Sequence, residues 1–262
     1  IFLLGFHMEL FSDITFYWLI IFFIAGFSAG YIDSIAGGGG MIQVPVLLLS
    51  GISPLNVLAS NKIASLFGVL MATIKYALSK KISWRVVKIA IIPCLLTSYI
   101  GSSLVMFLSD EVIKWLILIA ILVAMIFLFK KSKKVVEQKT ELNNKKIVLA
   151  TAPIGFYDGL LGPGTGTYMM ISMKKFLHLD YLISTASTKP LNFATNLGSA
   201  IAFIFAGKVL WGVAIVLGVA NVAGSYVGSH FAIKGGEEFI KKVLIFVLIF
   251  MLFANILKIV FG

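Results

Sequence analysis

The chain has 262 residues, of which 60% are hydrophobic and 13% are charged, and its mean hydropathy is +1.03. Soluble globular domains carry about 25% charged residues, so this composition excludes a soluble domain. The formal net charge is +11, but the basic residues, apart from Lys62 and Lys189, lie in or near the loops between apolar stretches. This placement indicates membrane orientation rather than nucleic-acid binding.

Apolar stretches of about 20 residues recur along the whole chain, and each is long enough to cross about 30 Å of hydrocarbon. They predict an all-α polytopic membrane protein embedded in a lipid bilayer. The stretch before Met8 is too short to span. Each half has five segments, of which the second is short and interrupted by glycine or proline. In chain order the predicted segments lie at about 14–35, 37–50, 55–78, 84–107 and 111–130, and then at about 147–162, 164–179, 183–206, 209–232 and 238–261.

A basic segment separates the two sets of apolar stretches. Seven of the 22 basic residues fall between Lys130 and Lys146, against only two acidic residues, Glu137 and Glu141. By the positive-inside rule this segment belongs in the cytoplasm. We therefore divide the chain into a first transmembrane repeat at 1–130, a basic cytoplasmic linker at 131–146 and a second transmembrane repeat at 147–262.

The two halves match each other at a constant offset of 127 residues, the distance from Gly37 to Gly164. Leucine matches carry little weight in so apolar a chain, but tryptophan, tyrosine, lysine and glutamate are scarce here and match as well. Such a duplication is typical of transporters. The pairs include Gly37 with Gly164, Gly39 with Gly166, Ser60 with Ser187, Lys62 with Lys189, Lys81 with Lys208, Trp84 with Trp211, Tyr99 with Tyr226 and Glu111 with Glu238.

The lysines in the loops indicate how the halves are oriented. With the basic linker inside, an odd number of crossings per half places five further lysines inside and two outside, whereas four crossings reverse that count. We therefore predict inverted-topology repeats, with glycine-broken or re-entrant helices meeting near the midplane. The five are Lys174, Lys175, Lys234, Lys241 and Lys242, and the two are Lys208 and Lys258.

Two glycine-rich turns are the most unusual local feature. They run from Asp33 to Gly40 and from Gly162 to Thr167. Each glycine in a helix interior costs about 1 kcal/mol relative to alanine, so the helix breaks there. In a membrane, broken backbone is tolerated where it is buried in protein or lines a cavity, and the short helix that follows aims free N–H groups at an anion. Close helix packing is the alternative explanation. The candidate anion-binding residues here are Gly38, Gly39, Gly40, Gly164, Thr165 and Gly166.

Lys62 and its repeat partner Lys189 lie inside apolar segments. An ionised side chain at membrane depth costs at least about 2.5 kcal/mol, so it normally faces a cavity or a partner. We expect both lysines to attract an anion, with snorkelling to the interface as the alternative. Neighbouring polar residues that suit an oxyanion complete the candidate site, namely Ser60, Asn61, Ser187, Thr188 and Asn192.

Asp33 and Asp158 are acidic residues at predicted membrane depth, each in the first helix of its half. Either residue could form a salt bridge with a buried lysine, or bind a coupling proton or sodium ion. The sequence leaves these alternatives open.

Signals for an enzyme are lacking, since the chain contains no HExxH motif. The single cysteine, Cys94, excludes an internal disulfide framework and a cysteine-based zinc site. We therefore expect no catalytic residues, no metal and no cofactor.

The stretch from Gly26 to Leu47, with four consecutive glycines followed by Pro-Val-Leu, and its echo from Gly155 to Gly166 resemble the sulfite exporter TauE/SafE family. The small-residue-Ser-x-Lys elements at Lys62 and Lys189 and the duplication extend the resemblance over nearly the whole chain. This family is also called the toluene sulfonate uptake permease family. The resemblance implies an inner-membrane permease for small sulfur-containing anions such as sulfite, thiosulfate or organosulfonates.

The residues and the resemblance both indicate a secondary transporter, because the sequence contains no nucleotide-binding motif that could supply ATP energy. A passive anion channel is one alternative function. A membrane sensor or scaffold that binds anions without moving them is another.

Overall fold

The computed structural model describes residues 16–129 and 143–261. The stretch before Met8 and most of the predicted basic linker lie outside these ranges. The described residues form nine helices and no strand. These are α1 (Phe16–Ala36), α2 (Gly40–Leu49), α3 (Pro54–Leu78), α4 (Trp84–Val105), α5 (Asp110–Phe129), α6 (Asn144–Leu160), α7 (Thr165–Leu177), α8 (Tyr181–Phe205) and α9 (Trp211–Phe261).

The structure confirms the polytopic helical class, and the helix bounds lie close to the predicted segments. Four helical stretches in the described residues are long and apolar enough to cross a membrane: Tyr17–Ala36, Pro54–Leu78, Trp84–Val105 and Trp211–Gly236. At the C-terminal end, the last two predicted segments, 209–232 and 238–261, both fall within α9, which is interrupted between them at Gly236. Gly236 has a φ of 61° and a ψ of −155°, which are not helical values, so two helical runs meet there. Glycine adopts this conformation without steric cost.

Both short helices turn back along the helix that precedes them. In the first half, α2 packs against α1, and Met41 and Val44 of α2 belong to the same apolar cluster as Phe22 near the start of α1. In the second half, the Ser172 hydroxyl of α7 donates to the Ala150 carbonyl near the start of α6 at 2.7 Å. Each glycine turn therefore forms the tip of a helical hairpin.

The helices of the two halves interleave. Helix α1 packs against α9, and α4 packs against α6, so the first helix of each half contacts the fourth helix of the other. Glycines permit the close approach. A Cβ atom at Gly30 would lie 2.3 Å from the Asn221 carbonyl oxygen, and one at Gly159 would lie 2.0 Å from that of Ser98.

Two equivalent hydrogen bonds also cross between the halves. The Ser60 hydroxyl accepts from the Leu210 N–H at 3.0 Å, and the Ser187 hydroxyl accepts from the Ser83 N–H at 2.9 Å. Ser60 corresponds to Ser187, and Ser83 corresponds to Leu210, at the offset of 127 residues. Such an exchange of contacts is what a two-fold relation between repeats produces.

The apolar core is divided into two clusters. One contains Met41 of α2 together with the start of α3 and of α5. The other contains Ala36 at the end of α1, Met169 of α7 and the start of α4. Ala36 and Met41 flank the first glycine turn and belong to different clusters, so the turn connects the two clusters. The polar residues discussed next lie around this turn.

Candidate functional site

The two glycine turns contact each other directly, backbone to backbone. A Cβ atom at Gly37 would lie 2.3 Å from the Gly166 carbonyl carbon, which leaves no room for any side chain. The Thr167 hydroxyl donates to the Gly37 carbonyl at 2.9 Å and fixes the contact. The tips of both helical hairpins therefore meet inside the protein.

Left-handed backbone explains why glycine occupies the turns. Gly37 and Gly38 have φ values of 73° and 110°, and Gly162 and Gly164 have φ values of 94° and 85°. Residues with a Cβ atom rarely adopt this region. The sequence therefore breaks the helix at the positions where the structure requires positive φ.

A cavity lies where the turns meet. It is small, with room for about one water molecule in this conformation. Its walls come from both glycine turns and from the polar faces of α3 and α8. The lining residues are Asp33, Gly38, Gly40, Asn61, Lys62, Ser65, Asp158, Gly162, Gly164, Thr165, Gly166, Asn192 and Asn196.

Lys62 forms a buried ion pair with Asp158. Its ammonium nitrogen lies 2.6 Å from Asp158 Oδ1 and also donates to the backbone carbonyl of Asp158. Only 1% of Lys62 and 3% of Asp158 are exposed. The Thr165 hydroxyl, at the start of α7, lies 2.8 Å from the same carboxylate oxygen.

Lys189 forms the corresponding pair with Asp33. Its ammonium nitrogen lies 3.4 Å from Asp33 Oδ2 and donates to the backbone carbonyl of Asp33. The other carboxylate oxygen, Oδ1, accepts from the Gly38 N–H at 3.1 Å and from the Gly39 N–H at 3.3 Å. Asp33 therefore caps the start of α2.

Each ion pair joins a lysine of one half to a carboxylate of the other. Both lysines are buried, so neither ammonium group snorkels to the membrane interface. With all four groups ionised, the two lysines and two aspartates sum to zero charge. An incoming anion therefore meets a neutral cluster in which each cation already has an internal partner.

Ten of the candidate residues named from the sequence line the cavity. The other five lie elsewhere. The hydroxyls of Ser60 and Ser187 accept from backbone N–H groups between the halves, and the Thr188 hydroxyl faces the sulfur of Met173. Gly39 packs against α1, where a Cβ atom would lie 2.7 Å from the Ala29 carbonyl oxygen. Lys189 contacts Asp33, which lines the cavity, but does not line it itself. The ten are Asp33, Gly38, Gly40, Asn61, Lys62, Asp158, Gly164, Thr165, Gly166 and Asn192.

The candidate set omitted three lining residues, Ser65, Gly162 and Asn196. Ser65 lies four residues after Asn61, and Asn196 lies four residues after Asn192. Residues at this spacing share one face of a helix, so the periodicity could have identified both. Gly162 belongs to the second glycine turn.

We expected the backbone amides of both turns to face an anion, but some of them donate to a side chain of the protein instead. Asp33 already takes two of these amides, those of Gly38 and Gly39. In the described part of the chain, the N–H groups of Gly40 and Gly166 donate to no acceptor. Free N–H groups at a helix start favour negative charge. These two amides are therefore available to a ligand.

The described residues contain no cluster of three or more histidine, cysteine or acidic side chains that could hold a metal ion.

Comparison with known proteins identifies the family. Residues 22–254 match the family described as Sulfite exporter TauE/SafE. The chain is 37% identical to a probable membrane transporter protein, ORF9, of Sinorhizobium sp., over 90% of this chain and 91% of that protein. It is 31% identical to a probable membrane transporter protein of Haemophilus influenzae, over 90% and 93% of the two chains.

A third relative is the probable membrane transporter protein YfcA of Escherichia coli K12, which is 31% identical over 87% of this chain and 85% of that protein. No solved structure matches the chain. The family match covers most of the sequence, and the helical hairpins and buried polar cavity suit a protein that moves a solute. The chain belongs to the TauE/SafE family of membrane transporters.

Proposed function

We propose that this transporter is a secondary carrier of small sulfur-containing anions, of the sulfite, thiosulfate or organosulfonate class, across the inner (plasma) membrane. The observation that carries the proposal is the cavity in which the two glycine turns meet beside the buried ammonium group of Lys62. The description of the family as sulfite exporters supports the sulfur-anion class.

The chemistry of the cavity favours an oxyanion. The free N–H groups of Gly40 and Gly166 lie at the starts of α2 and α7, where the helix dipoles are positive. Asn61 and Asn192 add uncharged amide donors to the walls. A compact anion with several oxygens can accept from all of these groups at once, whereas an apolar solute can use none of them.

The functional test is transport by purified protein in liposomes. Saturable flux of sulfite, thiosulfate or methanesulfonate that follows an imposed gradient supports a carrier. Flux that rises linearly with voltage without saturation indicates a channel, and binding without flux indicates a sensor. Flux of none of these anions would overturn the proposed substrate class.

Gly40→Ala is expected to weaken anion binding without unfolding the protein. The added Cβ would lie 3.6 Å from Pro163 Cα and 3.8 Å from Asn61 Nδ2, which are ordinary contacts. The methyl group would stand in front of an available amide. Loss of one charge-assisted hydrogen bond corresponds to a dissociation constant about ten- to a hundred-fold higher. Titration calorimetry with thiosulfate measures the change.

Gly218→Ala on α9 is the matched control, because it also adds one methyl group to a glycine but lies outside the cavity lining. It should bind thiosulfate as the wild type does. Equal affinity in Gly40→Ala and the wild type would contradict a role for the Gly40 amide.

We further place the two halves in inverted orientation, related by a pseudo-two-fold axis in the membrane plane. In support, α2 and α7 return along α1 and α6, so each half makes an odd net number of crossings. The exchanged hydrogen bonds of Ser60 and Ser187 support the two-fold relation. The boundaries 1–130, 131–146 and 147–262 belong to this proposal.

Cysteine labelling from outside the cell tests the inversion. With the basic linker inside, Ser109→Cys should be labelled and Lys81→Cys should not, whichever way the halves are arranged. Lys208→Cys discriminates, because inverted halves place it outside and parallel halves place it inside. The native Cys94 is buried and should give little background. Protection of Lys208→Cys from an impermeant reagent would overturn the inversion.

A further inference from the structure

The two membrane-depth carboxylates differ in how completely they are hydrogen-bonded. Both oxygens of Asp33 have partners, since Oδ1 accepts from two backbone amides and Oδ2 lies 3.4 Å from the Lys189 ammonium nitrogen. In Asp158, Oδ1 lies 2.6 Å from Lys62 Nζ and 2.8 Å from the Thr165 hydroxyl. The second oxygen, Asp158 Oδ2, is buried and has no hydrogen-bond partner among the described residues.

Asn61 Oδ1 is a second buried acceptor without a partner, and Asn61 lines the same cavity. Buried carboxylate and amide oxygens almost always receive a hydrogen bond, because leaving them unpaired is unfavourable. A fully deprotonated anion such as thiosulfate cannot satisfy either oxygen, since it offers only further acceptors. The missing group is therefore a donor or a cation.

We propose that Asp158 Oδ2 binds the coupling proton of the transporter, an inference that rests on the proposed anion transport. A proton taken from the aqueous side forms an O–H bond at Oδ2 and turns the unpaired acceptor into a donor. The carboxylate becomes a neutral acid, and no other bond breaks. A proton needs this one oxygen, whereas a sodium ion needs several oxygen ligands around it, and Lys62 already occupies Oδ1.

The effect of protonating Asp158 depends on the ionisable groups that face it. They are Lys62 on α3, Cys94 on α4, Tyr157 on α6 itself and Asp33 across the cavity on α1. Helices α7 and α8 contribute the uncharged residues Thr165, Asn192 and Asn196 to the cavity, and Lys189 on α8 is paired with Asp33.

Lys62 is the cation in contact with Asp158. Protonation of Asp158 leaves Lys62 without a counter-charge and raises the summed charge of the four buried groups from zero to +1. An anion can then replace the carboxylate as the partner of Lys62. Uptake of the anion and of the proton is thereby coupled, and Asp33 retains its role as the cap of α2.

The test uses proteoliposomes that enclose a pH-sensitive dye, with sulfur-35 thiosulfate as the probe anion because its charge is constant around neutral pH. Thiosulfate influx by the wild type should acidify the lumen. Its apparent affinity should rise by up to about tenfold for each unit by which the pH falls, as linkage requires for one proton per anion. Asp158→Asn should lose both the proton flux and the pH dependence, whereas Asp33→Asn should keep the ratio of protons to thiosulfate.

Two results separate this inference from the proposed function. Thiosulfate flux without proton flux, or with the same proton flux in Asp158→Asn, would overturn the inference and leave anion transport standing. Infrared spectra provide a readout that needs no transport. A carboxylic-acid band should appear in the wild type and in Asp33→Asn as the pH is lowered to about 6, where exposed carboxyl groups are still ionised. The band should be absent from Asp158→Asn. It should also be absent from Lys62→Met/Asp158→Asn, which removes both charges if the single variant does not fold. Persistence of that band in either Asp158 variant would also overturn the inference.

Discussion

Lys62→Met is expected to lower the free energy of unfolding by about 3–5 kcal/mol, because it leaves the buried Asp158 carboxylate without its ammonium partner. Methionine keeps much of the apolar stem, so the loss reports the charge rather than the packing. The double variant Lys62→Met/Asp158→Asn should recover most of the stability, since removing both charges leaves no uncompensated ion. Denaturant unfolding in detergent measures all three proteins.

The second ion pair supplies a matched comparison. Lys189→Met should cost less than Lys62→Met, because Asp33 keeps two backbone N–H donors and its side chain is 14% exposed, against 4% for Asp158. If Lys189→Met lowers the free energy of unfolding more than Lys62→Met does, the burial and hydrogen bonding of the carboxylate do not set the cost, and the explanation is wrong. If the double variant is no more stable than Lys62→Met, the loss comes from packing at position 62.

Gly159→Ala is expected to be among the most disruptive single-methyl changes in the protein. The added Cβ would lie 2.0 Å from the Ser98 carbonyl oxygen and 2.7 Å from its carbon. Both atoms are backbone, so α4 and α6 must separate for the methyl group to fit. Overpacking of this kind costs about 1–3 kcal/mol or more. The expected result is a lower melting temperature and a smaller folded fraction in size-exclusion chromatography.

Gly30→Ala tests the equivalent contact between α1 and α9, where the Cβ would lie 2.3 Å from the Asn221 carbonyl oxygen. It should behave like Gly159→Ala. Gly218→Ala should be mild, because its Cβ would meet the Phe67 ring edge at 3.0 Å and that half-exposed ring can move. Wild-type stability of Gly159→Ala would show that the helices do not approach as closely as the structure places them.

Much of the fold could be predicted from local patterns. Apolar stretches of membrane-spanning length located the helices within a few residues, and the glycine clusters marked the breaks at Gly37 and Gly164. These predictions succeed because helix length and helix breaking depend on residues that are neighbours in the chain. The interruption of α9 at Gly236 falls between the last two predicted segments, since glycine again adopts the positive φ that breaks the helix.

The candidate site was predictable in part for the same reason. The repeat indicated that Lys62 and Lys189 occupy equivalent positions, and their surroundings indicated burial. The sequence could not exclude Ser60 and Ser187 from the cavity, because each serine lies within two residues of a site residue. Asn61 lines the cavity, and Lys189 forms an ion pair with Asp33. A rotation of about 100° per residue around a helix is enough to move a side chain from the cavity to a helix contact.

The sequence by itself determined the membrane class, the family, the duplication and the residues available for chemistry, because composition and motif depend only on the order of residues. Tertiary structure decided which of these residues meet. Lys62 pairs with Asp158 at a separation of 96 residues, and Lys189 pairs with Asp33 at a separation of 156 residues. Both pairs form because helices from opposite halves cross, and no local pattern encodes that crossing. The same packing left Asp158 Oδ2 without a partner and gave Asp33 two amides, so carboxylates that are alike in sequence differ in their surroundings.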